Sequence, residues 1–194
     1  MKTTMVKASV GAVLVIGSNA VFAHAGHEHT SSFMSGFLHP MGGLDHLLAM
    51  IAVGLWAASM GGRALWTVPM AFVAMMLLGG GAAMAGLEVP FVEQGILLSV
   101  MVLGGLVLGA KRLPVAACAA IAGGFAVFHG VAHGMEMPAN GTAAQYALGF
   151  AVATTALHLV GLGFGQLMAR IGTPLVTRLS GSAIAVLGLL LSIA

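Results

Sequence analysis

Two imidazoles and a carboxylate stand within eight residues in His39-Pro-Met-Gly-Gly-Leu-Asp-His46, at the mouth of an apolar run that continues to Trp56. Positions 39 and 46 are seven apart, so on one helix they return to within roughly 20° of the same face. Pro40 suits the first turn of such a helix, where its missing N–H leaves no bond unmade. Asp45 lies on the flank of that face, able to bind a cation or to accept a proton from a histidine ring. A second cluster reads His129-Gly-Val-Ala-His133-Gly-Met-Glu136. His129 and His133 are four apart and Glu136 three further, so the three share one side of a helix. Paired histidines at that spacing form a compact bidentate metal site. His158 stands alone within another apolar segment, where a buried hydrogen-bond partner is the plainer role and a place on a metal path the sharper one. Charged groups cost at least ~2.5–3.5 kcal/mol inside a bilayer, so two dense clusters in apolar segments point to function.

The ligand chemistry narrows the ion. Imidazole with carboxylate suits Ni²⁺, Co²⁺ or Zn²⁺, and is too nitrogen-rich for Mg²⁺ or Ca²⁺. The lone cysteine, Cys118, gives neither a disulfide framework nor a multi-thiolate site in one chain. Upstream, His24, His27 and His29 with Glu28 form a short histidine-rich tract, a composition that collects divalent metals at a surface. The fourteen methionines are taken as adaptable packing.

The elements that must carry these groups are membrane helices. The chain of 194 residues is 59% hydrophobic and 6% charged, with a mean hydropathy of +1.06. A soluble domain carries about 25% charged residues, so an all-α, polytopic membrane bundle is expected. Residues 1–23 have the form of a signal peptide, with Lys2 and Lys7 before a short apolar stretch and Val21-Phe22-Ala23 as the cleavage site; a cut after Ala25 also fits. A polar periplasmic segment, 24–38, then leads into a six-helix domain, 39–194, with spans near 39–60, 64–86, 94–110, 113–135, 142–169 and 174–194. With the mature N-terminus outside, Arg63, Lys111, Arg112, Arg170 and Arg178 all fall inside, while the outer loops hold Glu88, Glu93 and Glu136. The basic residues are scattered, with no run to track nucleic-acid phosphates.

At these residues the chain resembles the HupE/UreJ family of bacterial nickel permeases. The likeness rests on a His-Pro-x-x-Gly-x-Asp-His motif, present at 39–46, and a His-Gly-x-Ala-His-Gly-x-Glu block, present at 129–136. It implies import of Ni²⁺, with Co²⁺ an alternative cargo, across the bacterial inner membrane for hydrogenase or urease assembly. It also implies a functional set of His39, Asp45, His46, His133 and Glu136, with Glu93 as the acidic residue at the outer end of the third helix. The expected protein is not an enzyme, keeps no permanently bound cofactor and has the bilayer and the travelling ion as partners. No Gly-x-x-x-x-Gly-Lys-Ser/Thr is present to make it an ATPase. A rival from another class is an intramembrane zinc hydrolase, in which the histidines and carboxylates hold Zn²⁺ and activate water. A haem carrier with facing histidines is a third.

Overall fold

A computed structural model describes residues 32–136 and 142–194, and these are all-helical. Seven helices follow in order: α1 (Ser32–Gly42), α2 (Leu44–Met60), α3 (Ala64–Met84), α4 (Val92–Gly109), α5 (Val115–Met135), α6 (Ala143–Arg170) and α7 (Pro174–Ser192). The last five are long and apolar enough to cross a membrane, and α1 with α2 makes a sixth candidate if the bent pair counts as one span. The expected boundaries of the second to sixth segments agree with α3–α7 to within two residues. The proposed signal peptide and His24, His27 and His29 lie outside the described residues.

The first segment differs. A helix already begins at Ser32, so the polar segment expected over 24–38 ends earlier, and Pro40 lies in the last turn of α1 instead of opening a span. The chain then breaks at Gly43, with φ −110° and ψ 127°, and α2 leaves at 85° to α1. His39 and His46 therefore do not share a helix face. Asp45 explains how α2 restarts: its Oδ1 accepts the His46 backbone N–H at 2.7 Å. That satisfies one of the free amides of the new first turn, where a carboxylate is also favoured by the helix dipole.

Apolar side chains cannot hold membrane helices together by fleeing water, since lipid is as apolar as they are; close backbone approach does the work instead. The glycines supply it in reciprocal pairs. A Cβ at Gly54 would meet the carbonyl of His158 and one at Gly161 the carbonyl of Ile51, while Gly165, one turn further along α6, lies against Ala58, so α2 and α6 run side by side in the same direction. Gly79 against Val127 and Gly130 against Met76 join α3 to α5, and the advance from Gly123 on Met75 to Gly134 on Ala83 sets these two in the same direction as well. Gly104 on Gly181 and Gly188 on Met101 join α4 to α7, running oppositely. Gly36 against Tyr146 and Gly149 against Phe33 lay α1 across the start of α6. The core between them is centred on Trp56, Phe72, Met50 and Leu103, while Trp66, Leu78, Val160 and Leu190 face outward. These directions gather the start of α2, the start of α4 and the end of α5 at one end of the bundle. The α2–α3, α4–α5 and α6–α7 connections, with Arg63, Lys111, Arg112 and Arg170, lie at the other. Arg178 joins that end by donating from Nε to the Leu108 carbonyl at 2.9 Å.

Candidate metal site

The break at Gly43 and the end of α5 bring the two sequence clusters into one funnel. His39, on α1, meets Glu136 at 2.8 Å between Nε2 and Oε2. The His133 ring lies edge-on to His39 at 4.7 Å between centroids, and His46 lies 4.5 Å from His133. His46 in turn lies 4.8 Å from His129. One donor atom each from His39, His133 and Glu136 fall within 4.8 Å of one another. Ligands facing each other across an ion at ~2.1 Å stand ~4.2 Å apart, so this spacing suits a single divalent cation.

The side chains of the two clusters differ in depth. The Glu136 side chain is 58% exposed and that of His39 33%; Asp45 is at 23%, His46 at 13% and His133 at 7%. His129 is fully buried. The outer part opens into a cavity of about 610 Å³ lined by His39, Asp45, His46, Glu93, His133 and Glu136. Five of the six strongest sequence candidates thus line one cavity, and the sixth, His129, is buried 4.8 Å from the His46 ring. Glu93, in the first turn of α4, stands at its rim.

The orientation of the rings follows from their partners. Asp45 Oδ1 lies 2.8 Å from His46 Nδ1. A carboxylate only accepts, so His46 carries its proton on Nδ1 and turns an unprotonated Nε2 the other way. That Nε2 is buried and has no hydrogen-bond partner. Both ring nitrogens of His133 are also buried without a partner, and Glu136 at 3.8 Å from Nδ1 is too far for a hydrogen bond. Buried polar atoms are nearly always paired in proteins, because stranding one costs about 1–3 kcal/mol. Several unpaired nitrogens around one funnel make a set suited to an incoming cation.

His158 is placed differently. It is buried at the middle of α6, and Phe72 stands between it and His129, at 5.2 Å and 5.4 Å from the two rings. It is the next imidazole inward and does not line the outer cavity. Three further side chains belong to the site without having been foreseen. Phe150 packs on His133 at 4.1 Å, Tyr146 lies 5.8 Å from His39, and Ser99 hydrogen-bonds His129 at 2.9 Å. Phe72 and Phe150 carry no signal in an apolar sequence. Ser99, a hydroxyl inside an apolar segment, and Tyr146, the single tyrosine of the chain, are the visible signals.

A family model described as HupE / UreJ protein matches residues 12–191. The chain belongs to that family. It is 42% identical over 166 residues to Protein HupE of Rhizobium leguminosarum bv. viciae, a match that covers 86% of each chain. No solved structure matches it. Both family motifs named from the sequence are carried by the funnel, one on the α1–α2 break and one on α5.

Proposed function

We propose that this chain is a permease that carries a divalent transition-metal ion, Ni²⁺ with Co²⁺ as the competing cargo, inward across the bacterial inner membrane to supply hydrogenase or urease assembly. The observation that carries this is the descent of the histidines from solvent into the bundle, with unpaired nitrogens at its buried end. Glu93 and Glu136 concentrate cations at the mouth. His39 and Glu136 make the first contacts, and His46, His133 and then His129 replace more of the water shell. Asp45 acts through His46 by holding its ring, and His158, behind Phe72, is the next step inward. Modest affinity at each step lets the ion leave again. In this reading the bent α1–α2 pair is the first of six spans and the arginine-rich end faces the cytoplasm, as the positive-inside rule asks. Residues 1–23 are a signal peptide, leaving a periplasmic N-terminus in which His24, His27 and His29 collect metal. The ion is cargo, no cofactor is permanently bound, and the protein is not an enzyme. Membership of the family supports transport, and neither the family nor the relative supports the hydrolase reading.

The test is uptake of trace ⁶³Ni²⁺ by cells lacking their own nickel transporters, with competing Co²⁺, Zn²⁺ and Mg²⁺. Saturable accumulation is expected, blocked by Co²⁺ but not Mg²⁺, and lost in His46→Ala and His133→Ala at unchanged membrane levels. Normal uptake in both variants would remove the site assignment. No uptake by wild-type protein present in the membrane would remove the permease itself.

A further inference from the structure

Ser99 is fully buried within α4 and touches two groups. Its Oγ is 2.6 Å from the Ile96 carbonyl oxygen and 2.9 Å from His129 Nε2. A hydroxyl has a single proton to give. Two oxygens at 2.6 Å require that proton between them, since facing lone pairs would repel at that distance. The hydroxyl therefore donates to the Ile96 carbonyl, as helical serines commonly do within their own turn. Toward His129 it can only accept, so Nε2 must carry the ring proton. A neutral imidazole has one N–H, which leaves Nδ1 with a bare lone pair. His129 Nδ1 is buried and has no hydrogen-bond partner.

We propose that Ser99 is a positioning residue that locks His129 in its Nε2–H tautomer, so that Nδ1 is the atom offered to the travelling ion. This deepens the permease reading and, for its role in transport, rests on it. Ser99 does for His129 what Asp45 does for His46, on the opposite nitrogen. The two rings are 4.8 Å apart, and each presents an unprotonated nitrogen instead of a mixture of lone pair and N–H. A cation arriving at this depth thus meets two ready acceptors, and neither ring must move its proton before it binds. Removing an outer partner of a metal-binding histidine typically weakens metal handling by about 10- to 100-fold.

The experiment pairs ⁶³Ni²⁺ uptake kinetics with ¹⁵N NMR of the full-length, histidine-labelled protein in lipid without metal, the His129 signals being assigned by their loss in His129→Gln. Wild-type His129 should show a protonated Nε2 and a bare Nδ1. In Ser99→Ala the tautomers should mix, and KM for Ni²⁺ should rise about 10- to 100-fold at equal membrane levels. Ser99→Thr, which keeps the hydroxyl, should restore both. A proton on Nδ1 in the wild type, or a Ser99→Ala protein with unchanged tautomer and unchanged KM, overturns the proposal. The spectrum is read without metal or transport. A wild-type protein that carries no nickel would therefore remove the permease reading, while the tautomer lock would stand or fall on the NMR signals alone.

Discussion

His133 is the side chain through which the two motifs meet. It touches the rings of His39 and His46, neighbours Glu136, and packs on Phe150, yet neither of its nitrogens is hydrogen-bonded. Its replacement removes a contact that no neighbour duplicates, which is why His133→Ala should abolish transport outright. The outer residues should behave differently. Glu136 is more than half exposed and adds charge near the mouth, where attraction is screened and modest. Glu136→Gln should raise KM for Ni²⁺ several-fold with little change in maximal rate, as initial-rate uptake over a range of nickel concentrations will tell. Asp45→Asn keeps the shape beside His46 but loses the acceptor-only carboxylate that fixes its proton on Nδ1. Uptake efficiency should fall about 10- to 100-fold, while Asp45→Glu restores part of it. Equal loss in both variants would mean that Asp45 does more than orient the ring.

At the scale of the elements, the glycines decide where the funnel can be. Gly161 lies against the Ile51 carbonyl on α2, and Gly54 against the His158 carbonyl on α6. A methyl group at Gly161 has nowhere to go, because the opposing atom is backbone. Gly161→Ala should force α2 and α6 apart at a cost of about 1–3 kcal/mol or more, measured as a lower unfolding temperature of the purified protein. Gly163, two residues on, has open space where its Cβ would be. Gly163→Ala should be neutral or slightly stabilising, since alanine is the better helix former by roughly 0.5–1 kcal/mol. Similar destabilisation by both substitutions would contradict the packing of this helix pair. The break at Gly43 matters in the same way. It lets a helix end and a helix start face one opening, which one straight span would separate by some 10 Å along its axis.

At the scale of the whole molecule, the bundle has two unlike ends. Among the described residues, one holds His39, His46, His133 and the carboxylates and the other the arginines and Lys111. Cys118, the single cysteine, is buried on α5, so introduced cysteines can report on the two ends with little background. In a Cys118→Ala chain, Glu88→Cys should react with a membrane-impermeant maleimide added to cells whose outer membrane is permeable. Lys111→Cys should react only once the inner membrane is opened. The reverse pattern would invert the protein in the membrane and make the funnel an exit.

Composition alone required a membrane bundle, because 6% charged residues cannot cover a soluble surface. Local spacing was also sufficient for five helices, whose ends are marked by arginines, glutamates, Gly and Pro, and for the ionisable residues of the site, which stand out against an apolar background. Only the tertiary structure decided that His39 and His46 approach His133 from two helices set at 85°, because the turn at Gly43 depends on how α1 docks on α6. It also placed Phe72 between His129 and His158 and put Ser99 on His129. Contacts between residues tens of positions apart follow from which glycines let which backbones touch, and helical periodicity within one segment carries no trace of that choice.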